Sequence, residues 1–368
     1  MNIVVCEISL ICFLWHFLLG STHESDVTFS FMVHRHGDRT PSRYSVNYST
    51  SPEELEKLIE PYGYGQLTEK GMQKAYRLGQ YIHFQYKSIL APKFNESEIY
   101  LRSTDVSRTK MTMLVALAAI YPPVVRWKED LNWTPVPYTT VPVKTDYNRP
   151  TSSCPELEHK MNNILSRKCS EMKPFDDVLA LLSEEIGVGF DLREKPLYIS
   201  QIYNTFEAQE SLGLKLTPKV QRALPRIKEA ADKAFNIIFR QKDILKYFCG
   251  VLLREFHEFA KLVISGSETA TVRIYSAHHE NVYGISKISR TDISGMPVFA
   301  SVFSLNLKRA KDDFIVEPVF AYDTPGGVFS FERLDVKDCG EPCFYDKFVE
   351  LTKKHTLDYD SWRKMCVR

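Results

Sequence analysis

Alternation of apolar and polar positions predicts the first strand. In Asp26 to His34, DVTFSFMVH, residues Val27, Phe29, Phe31 and Val33 share one side of an extended segment. Thr68 followed by Glu69 predicts a helix capped at Thr68 and running to about Leu90. Glu98 to Leu101 predicts a short strand, and Asp105 to about Tyr121, rich in Met, Leu and Ala, a helix. Pro122, Pro123, Pro135, Pro137 and Pro142 then predict a long extended crossing. From Pro155 to about Val251 the pattern is mostly helical and more polar, without strong strand runs. Gly250 to Ser265 predicts another helix and Val272 to Ala277 another strand. Ser304 to Lys308 and Phe314 to Tyr322 predict a late hairpin around Ala310 to Asp313. Strands and helices alternate at both ends of the chain, with a helical block between them. That order implies an α/β core over residues 23–150 and 250–368, interrupted by a mainly helical cap over 151–249.

Ahead of the first strand the pattern changes. Ile8 to Leu19, ISLICFLWHFLL, has the length of a signal-peptide core and is followed by the small residues Gly20, Ser21 and Thr22. It is short for a membrane span, which takes about 20 apolar residues. The segment lacks Lys and Arg and carries Glu7, where a positive charge is usual. Residues 1–22 are therefore expected to be a leader, and the mature chain to be secreted without a membrane anchor, the lysosomal lumen being the less favoured destination. Beyond the leader come Cys154, Cys169, Cys249, Cys339, Cys343 and Cys366, an even number suited to an oxidising compartment. None forms a CxxC pair, so disulfides fit better than a metal site. The sequons at Asn47, Asn95 and Asn132 would be usable only on a secretory route.

Composition narrows the function classes. The 368 residues carry 47 Lys plus Arg against 46 Asp plus Glu, so the basic excess that nucleic-acid or membrane-surface binding wants is missing. With 22 Phe, 19 Tyr and 25% charged residues the chain is globular rather than disordered. A folded enzyme, or a binder of something small, remains.

The chemistry concentrates directly after the first strand, in His34-Arg35-His36-Gly37-Asp38-Arg39-Thr40-Pro41. Ligands of open α/β sheets bind at the carboxyl ends of strands, where this segment falls. Arginine forks match phosphate oxygens, so Arg35 and Arg39 around His36 describe an anion pocket holding an imidazole. Gly37 lets backbone approach a ligand closely. Neighbouring cations lower the proton affinity of an imidazole, keeping it neutral and nucleophilic in mild acid.

RHGDRTP fits the pattern R-H-G-x-R-x-P, and the chain resembles the histidine acid phosphatases, in their prostatic and lysosomal branch. Residues 65–72 (GQLTEKGM), 101–111 (LRSTDVSRTKM), the W-x-P-x-P crossing Trp133-Thr-Pro-Val-Pro137, and Tyr275-Ser-Ala-His278 are similar to further stretches of that branch. The likeness covers most of residues 26–366 and is weakest between about 155 and 245. Arg39 and Pro41 favour this branch over phosphoglycerate mutase-like relatives that also use R-H-G. The resemblance implies an open mixed sheet flanked by helices, phosphoglycerate mutase-like, with a helical cap. It also implies hydrolysis of small-molecule or peptide phosphate monoesters without a cofactor, in a family where homodimers occur. His36 resembles the nucleophile that forms a phosphohistidine. Arg35, Arg39 and Arg102 resemble the phosphate clamp, and His278 a second phosphate donor. Cys339 with Cys343 and Cys154 with Cys366 match bridges of the family, leaving Cys169 and Cys249 for a replacement bridge across the cap, with other pairings open.

One departure lands on the chemistry. The family usually has an acidic aspartate after the Y-S-A-H histidine, whereas this chain has His279, followed by Glu280. Glu280 could take over as proton donor, the reading favoured slightly. His279 could donate instead, since an ordinary imidazole, with a pKa of about 6.5, is protonated in acid. Or the acid is lost, leaving a secreted or venom protein that binds phosphate esters and turns them over slowly, since general acid catalysis is worth about 10²- to 10⁴-fold. A metal held by His278, His279 and Glu280 is disfavoured, because adjacent residues of an extended segment point to opposite faces.

Overall fold

The computed structural model describes residues 27–367, so the expected leader lies outside the described residues. Seven strands form one mixed sheet: β1 (Val27–Arg35), β2 (Ile99–Thr104), β3 (Thr139–Val141), β4 (Val272–Ala277), β5 (Val302–Ala310), β6 (Asp313–Asp323) and β7 (Phe329–Arg333). Their order is β3-β2-β4-β1-β5-β6-β7. β3, β2, β4 and β1 run parallel, and β5, β6 and β7 continue the sheet antiparallel from β1. The expected open mixed sheet is thus present, and the late hairpin is longer than its apolar pattern suggested.

The helices fill the connections. α1 (Pro52–Ile59) and α2 (Glu69–Gln85) follow β1, and Thr68 caps α2 by accepting from the Gly71 amide at 3.2 Å. α3 (Ser107–Ile120) follows β2. Between β3 and β4 the described chain is helical, with α4 (Pro150–Ser153), α5 (Pro155–Leu165), α6 (Asp176–Glu185), α7 (Ile199–Ser211), α8 (Pro218–Phe239) and α9 (Lys242–Ile264). α10 (His279–Ile288) leaves β4, and α11 (Tyr345–Thr352) and α12 (Tyr359–Cys366) come last. No helix among the described residues is long and apolar enough to cross a membrane.

Period-two alternation on β1 explains how both faces are covered. Phe29 and Phe31 pack against Phe256 of α9, with ring centroids 6.2 and 6.0 Å apart. Met32 turns to the opposite face and joins Leu78 and Ile82 of α2 and Met113 and Leu117 of α3. Each such side chain, fully buried, is worth about 1.5–3 kcal/mol relative to exposure. Position 249/250, where the sequence reading ended the cap, falls inside α9, whose Phe256 belongs to the sheet's own core.

Two disulfides tie the C-terminal segment down. Cys154–Cys366 joins the start of α5 to the end of α12, and Cys339–Cys343 closes a short loop. The expected Cys169–Cys249 bridge is absent, and both thiols are free. Cys249 lies on the buried side of α9 and meets α10, its Sγ 3.4 Å from the Asn281 carbonyl, so helix packing occupies it.

Candidate active site

Parallel strands end together at one edge of the sheet, and the site is built there. Arg35 pairs with Ala277 across β1 and β4, and Ser103 of β2 pairs with Ser276, so the residues that follow these strands meet. The Arg35 amide donates to Ser301 and the His36 amide to Ala277, which fixes the backbone of both residues. Gly37 then permits a close approach, but to α2 rather than to a ligand: a Cβ there would lie 2.3 Å from the Gly71 carbonyl oxygen. At Gly71 a Cβ would lie 2.1 Å from the Asp38 oxygen, so the two glycines seat the loop on the helix together.

His36 is buried, and its Nδ1 faces the Gly37 carbonyl oxygen at 2.8 Å. A carbonyl only accepts, so Nδ1 carries the proton and Nε2 of the neutral ring keeps its lone pair. Burial, reinforced by Arg108, Arg35 and Arg39, pushes the imidazole well below its usual value. The ring remains neutral in acid that would protonate a free histidine.

The charges of three guanidinium groups, Arg108, Arg35 and Arg39, act on this imidazole. Arg35 donates to the Pro297 carbonyl at 2.6 Å, lies over the Phe299 ring at 3.8 Å, and has Nε and Nη2 buried with no protein partner. Arg39 donates to the Thr40 carbonyl and to Oδ1 of Asn204 on α7, both at 2.9 Å. Arg108, near the N-terminus of α3, acts on His36 more strongly than either, and its own proton affinity is lowered by burial and by Arg149 and Arg39. Arg149 comes from the residue before α4 and lines the same cleft. His278 follows β4 at the N-cap of α10, with its ring 5.5 Å from that of His36 and its Nε2 3.2 Å from the Thr104 hydroxyl.

A cleft of about 350 Å³ opens beside Arg39 and Arg149. His279 and Glu280, the first residues of α10, line its floor beside Arg39 and Arg149, while Asn204 of α7 and Phe235 and Phe239 of α8 form the roof. His279 Nδ1 sits 3.2 Å from Glu280 Oε2. Burial pulls the His279 imidazole down to about 3 against the opposing effect of Glu280. Burial pushes Glu280 up, but His279, Arg149 and Arg35 outweigh it and leave the carboxyl below its usual range. Among the described residues no group of His, Cys, Asp and Glu side chains is placed to hold a metal ion.

Comparison with known proteins agrees with this geometry. The family described as "Histidine phosphatase superfamily (branch 2)" matches residues 26–181. Human prostatic acid phosphatase is 28% identical over 351 residues, covering 92% of this chain and 88% of its own. Human lysosomal acid phosphatase is 27% identical over 363 residues, covering 95% and 82%. This chain is similar to the histidine acid phosphatases over most of its length. A phytase from Hafnia alvei, solved with tartrate, superimposes with a TM-score of 0.67 at 12% identity, covering 93% of this chain and all of its own, which shows a shared fold.

Arg102, expected in the clamp, is engaged elsewhere. β2 runs to Thr104 rather than stopping at Leu101, so Arg102 lies within the strand. It donates to Asp146 at 2.6 Å and to the Tyr147 hydroxyl, while Tyr147 and Tyr275 both donate to Glu255. Asp146 also accepts from the Asn148 amide, so Arg102 holds the turn that delivers Arg149. The guanidinium of that R-S-T-D-V-S-R block whose charge acts on His36 is Arg108, six residues on. Its place in the first turn of a helix that follows a strand end was the available signal. Glu207 was also missed: it faces Arg35 at 3.8 Å from α7, in a region whose sequence carries no motif.

Proposed function

We propose that this phosphatase hydrolyses phosphate monoesters in acid through a phosphohistidine on His36, with Glu280 as the proton donor. His36 Nε2 attacks phosphorus, an N–P bond forms, and the bond to the ester oxygen breaks as that oxygen takes the Glu280 proton. Water then attacks phosphorus and returns its proton to Glu280, and the N–P bond breaks to release inorganic phosphate and restore neutral His36. Arg35, Arg39, Arg108 and His278 hold the three equatorial oxygens, on which the transition state concentrates negative charge. The observation that carries this reading is the His36 lone pair, left free by the Nδ1 bond to Gly37 on a buried imidazole under the charges of Arg108, Arg35 and Arg39. In the free site Glu280 is ionised, but a bound phosphate dianion offsets Arg35 and Arg149 and raises its proton affinity. The secretory reading is supported by two disulfides and by the exposure of Asn47, Asn95 and Asn132, proposed sites of glycosylation.

A second reading rests on the same pair. His279, at about 3, holds no proton in mild acid, and Glu280 is lowered as well. If substrate does not restore the Glu280 proton, the protein binds phosphate esters and turns over only those with good leaving groups. The test is alkaline quenching of a turnover mixture containing a ³²P-labelled aliphatic phosphomonoester. Label retained on wild type and absent from His36→Ala supports the enzyme reading. Label absent from wild type, with vanadate still bound, overturns it in favour of the binder.

A further inference from the structure

Between α8, α9 and α10 lies a second cavity of about 370 Å³, within the range of small-ligand sites. Its lining combines an apolar floor with a basic rim. Ile237 and Phe239 of α8, Leu245 of α9, and Tyr283 and Ile288 of α10 make the floor. Tyr283 is fixed there by donating to Asn236 Oδ1.

The rim carries Lys233, Arg240, Lys287, Arg290 and Lys337, and no carboxylate lines the cavity. Three carboxylates partner these five cations from outside it. Lys233 and Arg240 share Glu171, Lys287 and Lys337 share Asp292, and Arg290 has Asp338. Two positive charges are left over. Helix C-termini favour nearby cations, which accounts for Arg240 after α8 and Lys287 in the last turn of α10. Lys233, lying before the last turn of α8, and Lys337, on the segment after β7, are not explained that way.

Arg290 follows α10 with φ +64°, in the left-handed turn of a helix C-terminus, the Thr291 amide donating to the Ser286 carbonyl. Arg290 is pinned there by its bonds to Asp338 and to the Lys337 carbonyl. Its guanidinium is thereby kept at the cavity edge.

We infer that this cavity binds a small anionic amphiphile, an aliphatic or aromatic body seated on the Ile237–Phe239–Ile288 floor and a carboxylate, sulfonate or phosphate head held by the lysine and arginine rim. The site shares helices α8, α9 and α10 with the phosphate cleft, but only the residue Phe239 and none of its charged groups. The inference therefore stands apart from the catalytic reading.

Titration of the full chain with 1-anilinonaphthalene-8-sulfonate, followed by its fluorescence, tests it. One saturable site is expected at about 10 μM, in the range open to a ligand of this size. Decanoate should displace the probe, and octanol at the same concentration should not. The Lys287→Gln/Lys337→Gln double variant should weaken probe binding at least about tenfold, a loss of about 1.4 kcal/mol, while phosphatase activity and thermal midpoint stay at wild-type values. Asn236→Asp, which keeps the acceptor for Tyr283, provides an independent variant and should weaken binding in the same direction. Wild-type affinity in both variants, equal displacement by octanol, or displacement by saturating vanadate would each overturn the assignment.

Discussion

The floor and the roof of the phosphate cleft are held in different ways. At the strand-end side of the site, which extends the floor, Arg35, His36 and His278 stand at the ends of parallel strands whose backbones are locked into the sheet, and the Arg35 and His36 amides are themselves bonded. In the roof, Asn204 and Glu207 reach down from α7, and the aromatic rings of α8 close the space. Strand ends fix atoms to a fraction of an ångström, which phosphoryl transfer requires. Packed helices supply shape and can vary without disturbing that geometry. The floor should therefore govern whether any ester reacts, and the roof which ester is preferred.

The sharpest test of that division is His36→Ala. Loss of the nucleophile should lower turnover of every phosphomonoester by at least about 10³-fold. If hydrolysis of p-nitrophenyl phosphate survives at wild-type rate, the floor has been assigned to the wrong histidine. Arg108→Ala is next: removing one preorganised charge from the transferring group should cost about 10²- to 10³-fold in kcat/KM. Arg102→Gln should behave differently. It leaves buried Asp146 without its cation, so about 3–5 kcal/mol of stability should be lost. Vanadate affinity, measured well below the thermal midpoint, should change less than in Arg108→Ala. A vanadate loss equal to that of Arg108→Ala would return Arg102 to the clamp.

These two arginines also mark how far the amino-acid pattern could be read. The alternation of β1 placed His36 at a strand end, and the strand-then-helix order at both ends of the chain announced a sheet with a helical insertion. Both are local signals, set by side-chain period and by caps such as Thr68. Choosing between Arg102 and Arg108 needed the end of β2 to within three residues, and strand ends depend on neighbouring strands rather than on the segment itself. Arg149, Asn204 and Glu207 enter the site through tertiary packing of cap helices, for which no spacing in the sequence is a signal. The Cys169–Cys249 expectation failed for the same reason, since counting cysteines says nothing of which helix face each occupies.

Glu280→Gln separates leaving groups. A proton donor is needed most by alkoxides, so an aliphatic ester should slow about 10²-fold and p-nitrophenyl phosphate by less than about tenfold. His279→Ala should spare the aliphatic ester, because an imidazole with a pKa of about 3 has no proton to give in mild acid. The reverse pattern would give the role to His279. Stability should follow the same buried imidazoles. His34 on β1 is fully buried, and burial takes it down to about 4. In the unfolded chain it titrates near 6.5, so between about pH 6.5 and 4 the unfolded state binds the extra proton. Its contribution is complete above about 6.5 and is lost as the pH falls toward 4, by roughly 3 kcal/mol in all. His257, also taken to about 4 by burial, acts in the same sense. The thermal midpoint should fall across that window, and His34→Gln should flatten the fall if it folds; a midpoint that rises on acidification would contradict the assignment.

The smallest expected effect belongs to the roof. Asn204 Oδ1 accepts one of the two hydrogen bonds that orient Arg39, and the other goes to the Thr40 carbonyl on the floor. Asn204→Ala removes only the roof contact, so Arg39 keeps its charge and one anchor. A single hydrogen bond of this kind is worth about 0.5–1.5 kcal/mol. KM for a small ester should therefore rise roughly three- to tenfold with kcat little changed, the signature of lost ground-state positioning. Comparison of a small ester with a phosphopeptide sharpens the point. If the roof selects substrates by shape, the two KM values should move by different factors in Asn204→Ala and by the same factor in Arg108→Ala. Equal factors in both variants would mean that the roof only steadies the floor, and that substrate choice is made at the strand ends as well.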